Sequence, residues 1–529
     1  MPTGGEALVA ALEQLGVEVV FGLPGVHNLA AWRAFAGSGV RLVGVRHEQT
    51  AAYAADGWAR ATGRLGVALT TTGPGAANAV TATGEAWSCH SPVLVIATDI
   101  PTAQRVPGQY RGVLHECTDQ ASFFRPVTKE VVHVERAEDL FAEVLRAGRL
   151  AMAAPRRPVY LEVPTDLLRA EVDGWFEAPV PVGPSSTVLV DDAVGALLEA
   201  RRPLVWAGGG ATAAKAGGLV RLVAERIGAP VLTSFGGRGL LAPSAPCLVP
   251  LPPHAPEAGA LWDAADCVLV VGSDLDAMNT QGFRQPRPPT LVTVDVAEPV
   301  TYPPDVWVAA DAAAALLAVL DALPARRRSP WWHRPEGRST YAGQETEFLE
   351  ALESGLPSNA VVVADMCVAG YWYGAFGRVG GARGLAYPVG WGTLGFGFPA
   401  ALGAALSRRP TVALVGDGGF LFACGELATA AQERLPVTVV LVDDGGYGML
   451  RYDFTKDGEQ PLGCDLATPD FVALATAFGV PAREVTVGGL GAAVADGIAS
   501  GGPSLLVLRA AFGPPLSTSP RWYRAAGRG

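Results

Sequence analysis

This 529-residue chain has few lysines and no strongly basic segment. Lysine occurs only at Lys129, Lys215 and Lys456, and no basic run is longer than Ala-Arg-Arg-Arg at 325–328. The formal net charge is −11 at pH 7. Because DNA and RNA are bound through clustered positive charge, we predict that no nucleic acid is a partner.

The sequence also lacks cysteines at metal-binding spacings and long apolar runs. The odd number of cysteines and the lack of any Cys-x-x-Cys pair predict reduced thiols in the cytoplasm and no cysteine metal site. No apolar run reaches the length of a membrane helix, and the first residues carry Glu6 and Glu13 instead of a basic signal region. We therefore expect a cytoplasmic protein with no membrane partner. The seven cysteines are at positions 89, 117, 247, 267, 367, 424 and 464.

Apolar residues and turn formers are abundant instead. Hydrophobic residues make up 49% and charged residues 17% of the chain, with 65 glycines and 42 prolines. This composition is typical of a well-packed globular enzyme. At about 150 to 200 residues per domain, the length corresponds to roughly three domains. Pro-rich passages at 175–188 and 322–337 are expected to connect them.

The order of apolar patterns predicts the fold class. Short β-type runs such as residues 66–71 alternate with helical stretches such as residues 47–61. This alternation predicts an α/β fold of three doubly wound domains with parallel sheets. The predicted domains cover residues 1–172, 186–324 and 342–515, and a C-terminal arm follows over 516–529.

The first and last thirds of the chain resemble each other. Residues 66–99 align with residues 411–444, with their first strands 345 positions apart and their second strands 344 apart. Both segments are predicted as strand, Gly-rich turn, helix and strand, and such turns can hold phosphate groups. Two such halves favour one ligand bound between them. The alternative is the general similarity of all α/β units.

A Gly-rich turn also follows a strand at 203–218, which superficially indicates dinucleotide binding. The strict Gly-x-Gly-x-x-Gly spacing is broken, and no clear acidic partner for a ribose follows. We therefore interpret this part as a structural Rossmann-like domain. An NAD-dependent oxidoreductase is disfavoured for the same reason.

Two aspartates end neighbouring strands of the predicted third sheet. Asp417 follows Thr-Val-Ala-Leu-Val-Gly, and Asp444 follows the next strand. Because parallel strands end at one edge of a sheet, both carboxylates are expected there with a glycine-rich turn, where they could share Mg²⁺ with a diphosphate. Asp443 should point to the other face and is interpreted as structural or solvated.

This arrangement resembles the thiamine diphosphate enzymes of the acetolactate synthase, pyruvate oxidase and 2-oxo acid decarboxylase group. The resemblance implies that Asp417, Asp444 and the backbone carbonyl of Gly446 hold the metal. It spans the chain and implies a pyrimidine-binding domain, a central Rossmann-like domain and a diphosphate-binding domain. The family usually has Asn-Asn where this chain has Asp443 and Asp444, so one more negative charge lies beside the diphosphate.

The resemblance also implies the cofactor contacts. Residues 46–80 are similar to the pyrimidine-binding segment, in which Glu48 would face the aminopyrimidine ring and promote formation of the ylid. A carboxylate at a helix start is the plain alternative. Residues 390–406 are similar to the segment that bends the cofactor, with Leu394 as the apolar wedge and Gly392 as the residue whose carbonyl accepts from the aminopyrimidine; an ordinary turn with a core leucine is the alternative. Further cofactor-binding positions implied are Pro24, Asn78, Gly418, Gly419 and Tyr447.

The implied reaction is decarboxylation of a 2-oxo acid through an ylid and an enamine/carbanion, with carboligation to a second carbonyl compound as a possible following step. His27 and His115 are candidate proton relays, with purely structural roles as the alternative. Asp453 lies where the biosynthetic synthases usually have Trp, and Asp99 lies where they often have Gln. The central segment Val-Gly-Ser-Asp-Leu-Asp lacks the Arg-containing run of the flavin-binding relatives, so FAD is not expected. Acetolactate synthase-type carboligation and a catalytically silent regulatory relative stay open. The family assembles its sites between subunits, which implies a homodimer or homotetramer.

Overall fold

The computed structural model describes residues 1–106, 108–174, 188–341 and 343–515. The predicted connector at 175–188 lies outside the described residues except for its last position, and the arm predicted over 516–529 lies wholly outside them. The second Pro-rich passage is described, and its residues 323–336 form no helix or strand. The described residues form three parallel sheets, each in a segment that we call the N-terminal unit (1–174), the central unit (188–323) and the C-terminal unit (344–515).

The N-terminal unit contains a six-stranded sheet with strand order β2-β1-β3-β4-β6-β5. Its strands are Val19–Gly22 (β1), Arg41–Gly44 (β2), Gly66–Thr70 (β3), Val93–Asp99 (β4), Val131–His133 (β5) and Val159–Pro164 (β6). Its helices are Gly4–Gln14 (α1), Leu29–Ala34 (α2), Glu48–Thr62 (α3), Pro74–Asn78 (α4), Val80–Ser88 (α5) and Leu140–Met152 (α6). Every residue of β3 and β4 is buried, as expected for strands covered by helices on both faces.

The central unit contains a five-stranded sheet with order β11-β10-β9-β7-β8. Its strands are Pro203–Ala207 (β7), Val231–Thr233 (β8), Cys267–Val271 (β9), Thr290–Val294 (β10) and Val306–Val308 (β11). Its helices are Asp191–Glu199 (α7), Gly209–Ala213 (α8), Gly217–Ile227 (α9), Pro256–Ala264 (α10) and Ala312–Ala322 (α11). The amide of Gly210, near the start of α8, donates to the carbonyl of Gly272 at 2.9 Å, so the chain itself occupies this donor of the Gly-rich turn.

The C-terminal unit contains a six-stranded sheet with order β13-β12-β14-β15-β17-β16. Its strands are Val361–Ala364 (β12), Leu385–Ala386 (β13), Thr411–Gly416 (β14), Val437–Asp443 (β15), Ala482–Val485 (β16) and Ser504–Arg509 (β17). Its helices are Gln344–Ser354 (α12), Val368–Phe376 (α13), Gly397–Ala405 (α14), Asp417–Phe420 (α15), Leu427–Gln432 (α16), Gly448–Lys456 (α17), Phe471–Ala477 (α18) and Val487–Ala499 (α19). This order repeats that of the first sheet, and the strands matched in the sequence alignment, β3 with β14 and β4 with β15, hold equivalent positions.

Helices α3 and α14 join the N-terminal and C-terminal units through direct backbone contact. A Cβ added to Gly57 would lie 1.9 Å from the carbonyl oxygen of Ala400, and one added to Gly403 would lie 1.8 Å from that of Ala54. The numbering increases along one helix and decreases along the other, so the two helices are antiparallel. Buried side chains of both units form one continuous apolar core around this crossing.

A buried ionic group lies beside the crossing. Arg60 of α3 pairs with Asp56 at 2.6 Å and with Glu85 of α5 at 3.4 Å, and both carboxylates are fully buried. The Arg60 guanidinium also donates to the carbonyl of Tyr387 at 3.1 Å and lies 4.7 Å from the ring centre of Phe396. Removing one partner of such a group leaves an uncompensated buried charge, so it holds the two units in one alignment.

We expect Gly57→Ala to destabilise the protein by about 3 kcal/mol, because its methyl group would overlap the backbone of α14. This change would lower the midpoint of thermal unfolding by several degrees. The control is Gly195→Ala in α7, where an added Cβ meets no atom within 4 Å. There the better helix propensity of alanine should leave the midpoint equal or slightly higher. An unchanged midpoint for Gly57→Ala would contradict the close crossing.

Candidate active site

The carboxyl edge of the third sheet brings Asp417 and Asp444 together. Strands β14 and β15 are paired in parallel with Gly416 opposite Val442, and Asp417 follows β14 directly. Asp444 follows β15, and its charge acts on the carboxyl group of Asp417. The backbone amide of Gly446 interacts with both of them. The parallel pairing of the two strands therefore places two acids and one glycine turn close together at the edge of the sheet.

Each of these acids has an oxygen without a partner. Asp417 Oδ2 and Asp444 Oδ1 are buried, and neither accepts a hydrogen bond from the described residues. Burial, and then the charge of Asp444, raise the pKa of Asp417 to about 7, and burial also raises the pKa of Asp444. Two such buried oxygens at one edge of a sheet are costly unless a cation binds them. The donor set of carboxylate and carbonyl oxygens fits Mg²⁺.

The loop after β15 is held by Arg451 of α17. Its guanidinium donates to the carbonyls of Asp444 at 3.3 Å and Gly445 at 3.2 Å and pairs with Asp465 at 2.9 Å. The charge of Arg451 opposes the rise in the pKa of Asp444 and so offsets part of the extra negative charge. Asp443 accepts from the amide of Gly445 at 3.3 Å. Sequence reasoning did not find Arg451, because its contacts with the loop after β15 are to backbone carbonyls, which carry no residue signature.

A cavity of about 260 Å³ opens directly above the two aspartates. All of its lining residues lie between Met366 and Phe512, so it belongs to the C-terminal unit. Residues of 366–371 also line it. They belong to the segment 364–372, which is similar to a loop near the diphosphate in the family but whose side chains match that loop poorly, so none of them was predicted as a site residue. The predicted cofactor and metal positions that line this cavity are Gly392, Leu394, Asp417, Gly418, Gly419, Asp444, Gly446 and Tyr447.

Asp365 is a further buried acid that the sequence did not reveal. It follows β12 and accepts from the amide of Met366 at 2.8 Å and from that of Gly395 at 3.2 Å. Burial raises its pKa to about 6. Because Gly395 immediately follows Leu394, this carboxylate fixes the loop that carries the predicted wedge. On its other side the loop is held by the Thr393 hydroxyl, which donates to Glu85 at 3.1 Å.

The N-terminal unit assembles a second group of predicted residues. Glu48 is the first residue of α3 and is 7% exposed, and Asn78 Nδ2 donates to its Oε2 at 2.9 Å. Beside them, Thr71 Oγ1 is buried without a hydrogen-bond partner among the described residues. Pro24 follows β1, on the loop whose Gly25 packs against Thr71. The site therefore combines a fixed carboxylate with an unused polar atom.

The two predicted histidines lie at the edge of this group. The rings of His27 and His115 are 5.5 Å apart and perpendicular, and His27 Nδ1 is 2.8 Å from Thr72 Oγ1. Burial, followed by the charges of His115 and Arg169, lowers the pKa of His27, so this ring is neutral near pH 7. An open cavity of about 580 Å³ adjoins His27 and is lined by Arg111 and Arg169.

The cavity above Asp417 and Asp444 and the group around Glu48 are two parts of the predicted site, which we call half-sites. One chain does not bring these two half-sites together. Neither Glu48 nor Asn78 lines the cavity above the two aspartates. Glu48 begins α3 nine residues before the crossing at Gly57, which is about 13 Å along the axis. The loop of Leu394 precedes α14 and, because the helices are antiparallel, lies beyond the opposite side of the same crossing. The half-sites of one chain therefore face apart.

A second cluster of residues of types that bind metals lies in the N-terminal unit, and its ligand atoms already have protein partners. Ligand atoms of Asp99, His133 and Glu162 lie within 4.8 Å of one another. Asp99 is paired with Arg105, and Glu162 accepts from Gln120 Nε2 at 3.0 Å as well as contacting His133. The cluster offers no unpartnered oxygen of the kind found at Asp417.

No helix among the described residues is both long and apolar enough to cross a membrane.

Three family models match the chain in order. Their descriptions are the N-terminal TPP binding domain, the central domain and the C-terminal TPP binding domain of thiamine pyrophosphate enzymes, over residues 2–123, 190–323 and 365–508.

Similar proteins cover almost the whole chain. A probable 2-ketoarginine decarboxylase of Pseudomonas aeruginosa is 36% identical over 503 residues, which are 91% of this chain and 89% of that protein. A probable acetolactate synthase large subunit of Methanocaldococcus jannaschii is 28% identical, covering 91% and 87% of the two chains. The acetolactate synthase isozyme 3 large subunit of Escherichia coli is 31% identical, covering 90% and 89%. The chain therefore belongs to the thiamine pyrophosphate enzyme family.

Proposed function

We propose that this chain is a thiamine diphosphate- and Mg²⁺-dependent enzyme that decarboxylates a 2-oxo acid. The observation that carries the metal assignment is the pair of buried, unpartnered oxygens on Asp417 and Asp444. These two carboxylates and the Gly446 carbonyl would hold Mg²⁺, and the adjoining glycine-rich cavity would take the diphosphate. When bound, thiamine diphosphate supplies the carbon nucleophile and the electron sink for loss of CO₂.

The protein's own residues position the cofactor and move protons. Leu394 would support the bent cofactor from below, on a loop fixed by Asp365 and Glu85. Glu48, held by Asn78, would bond the aminopyrimidine ring and set its protonation. Its position in a water-poor pocket strengthens that interaction.

Decarboxylation to an aldehyde requires a proton at the new carbon, and the histidine pair fits this need. His27 and His115 lie side by side with their ring centres 5.5 Å apart, and either ring, after taking up a proton from solvent, would give that proton to the new carbon and return to its neutral form. Arg111 and Arg169 at the mouth of the cavity suit the carboxylate of a 2-oxo acid. The similarity to a probable 2-ketoarginine decarboxylase supports the same reaction class.

Acetolactate synthase-type carboligation is the second candidate. Relatives that carry this name are up to 31% identical over nine-tenths of the chain. The open cavity beside His27 also leaves room for a second carbonyl compound. The absence of FAD and a cytoplasmic location stay predictions.

We further propose that the active enzyme is at least a homodimer. Glu48 lies outside the cavity above Asp417 and on the other side of the α3–α14 crossing, so Glu48 of one subunit would complete the metal-containing half-site of another. A two-fold arrangement then forms two equivalent sites.

Glu48→Gln should reduce the rate of CO₂ release at least about a hundredfold while leaving the fold intact, because it removes the acid that acts on the cofactor ring. The measurement is CO₂ and product mass with thiamine diphosphate and Mg²⁺, using pyruvate and branched, aromatic and basic 2-oxo acids. One CO₂ and one aldehyde per acid indicate decarboxylation. One CO₂ per coupled product indicates carboligation. Absence of turnover in both the original protein and Glu48→Gln would favour the alternative that the chain is a catalytically silent regulatory relative.

Asp444→Asn should keep Mg²⁺ and cofactor binding, with a change in Mg²⁺ affinity of about tenfold or less, because the amide oxygen replaces a carboxylate ligand. Asp417→Ala should abolish metal binding, and calorimetric titration in the presence of thiamine diphosphate measures both. Asp443→Asn is the matched control and should bind like the original protein. Complete loss of binding in Asp444→Asn would count against the assignment.

Mixing two inactive variants tests the site between subunits. Glu48→Gln and Asp417→Ala chains, co-expressed in equal amounts, should regain about a quarter of the original activity, because half of the dimers then contain one intact site. Each variant alone stays inactive. If both half-sites came from one chain, every mixed dimer would have two defective sites and no activity would return.

A further inference from the structure

A cationic cavity of about 340 Å³ lies between the central and C-terminal units. It shares no lining residue with the cavity above Asp417. It is distinct from the Gly-rich turn of the central unit, where the Gly210 amide is already bound. Four arginines and two glutamates line it, namely Arg238, Arg334, Arg338, Arg378, Glu336 and Glu350.

Two of these arginines form no ion pair with a carboxylate among the described residues, although the charge of Glu353 acts on one of them, Arg238. Arg238 donates to the carbonyls of Ala375 at 2.6 Å and Gly377, and Arg334 donates to the carbonyls of Pro243 at 2.7 Å and Ala245 at 3.0 Å. Carbonyl dipoles satisfy the hydrogen bonds but do not neutralise a full charge. The positive charge of both groups is therefore available to an anion in the cavity.

Arg338 supplies a buried donor without an acceptor. Its side chain is 8% exposed, and its terminal nitrogens pair with Glu353 at 2.6 and 2.8 Å. Its Nε is buried and has no hydrogen-bond partner in the described part of the chain. Because unpaired buried donors are rare and unfavourable, this atom indicates a missing acceptor.

We propose that this cavity binds a small anion through phosphate or carboxylate oxygens. A tetrahedral or planar oxyanion can accept from several guanidinium groups at once, which is the geometry that arginine serves best. The ligand would balance Arg238 and Arg334 and provide an acceptor for Arg338 Nε. The inference is independent of the reaction proposed above.

Helix α13 links this cavity to the cofactor cavity. Its first residues, Val368 and Ala369, line the cofactor cavity, and its last residue, Phe376, lines the cationic one. The carbonyls at its end accept from Arg238, and the carbonyl of Phe376 accepts from Arg338 at 3.5 Å. An anion that attracts these guanidinium groups weakens their hold on the helix end. The anion is therefore expected to change thiamine diphosphate affinity, and the cofactor to change anion affinity by the same factor.

The test uses the full chain loaded with thiamine diphosphate and Mg²⁺, so that the cofactor cavity is filled. Inorganic phosphate and malonate are titrated separately by calorimetry, which distinguishes phosphate from carboxylate recognition. We expect saturable binding of at least one probe. Arg334→Gln and Arg378→Gln should each weaken it about tenfold, through loss of a charge-assisted contact. Arg201→Gln, an exposed arginine of the central unit outside the cavity, is the control and should bind as the original chain does.

Absence of saturable binding of either probe would overturn the proposal, and so would equal weakening by Arg201→Gln, which would mean general surface charge. A second titration measures thiamine diphosphate affinity with and without the bound probe. An unchanged cofactor affinity would overturn the link through α13. Neither measurement uses turnover, so failure of the proposed reaction would not affect the result.

Discussion

The backbone contact between α3 and α14 determines where the chemistry of this chain can occur. Glycines at 57 and 403 let the two helices meet without intervening side chains. Arg60, paired with two buried carboxylates of its own unit, then contacts the Tyr387 carbonyl and the Phe396 ring across the crossing. Because the helices are antiparallel, Glu48 and the loop of Leu394 extend in opposite directions from the crossing. An interaction that stabilises the monomer thus also divides its two half-sites.

The carboxyl edge of the third sheet shows a second constraint, which is the repulsion between acids at the ends of neighbouring strands. The parallel pairing of β14 and β15 forces Asp417 and Asp444 together. Burial alone would favour their neutral forms. Arg451 offsets part of the charge while it holds the backbone of the loop in place. The replacement of the family's usual asparagine by Asp444 therefore occurs where a cation from α17 already lies nearby.

Much of the fold could be predicted from local patterns. The alternation of strands and helices, the repeat between 66–99 and 411–444, and the position of Asp417 and Asp444 after two strands all depend on residues close together in sequence. The α/β class and family membership were predicted correctly. The contacts of Thr393 with Glu85, of Gly395 with Asp365 and of Arg238 with α13 were not predicted. They join distant segments, mostly through backbone atoms, and leave no motif in the sequence.

The glycine crossing also has a consequence for motion. The crossing is made by main-chain atoms in van der Waals contact, and main-chain atoms have no alternative rotamers. The angle between the N-terminal and C-terminal units therefore cannot change through side-chain rearrangement. Opening and closing around a substrate must then occur in connecting loops, such as the one that carries His115. The timescale of such loop movements, and not that of domain rotation, would set how fast ligands enter and leave.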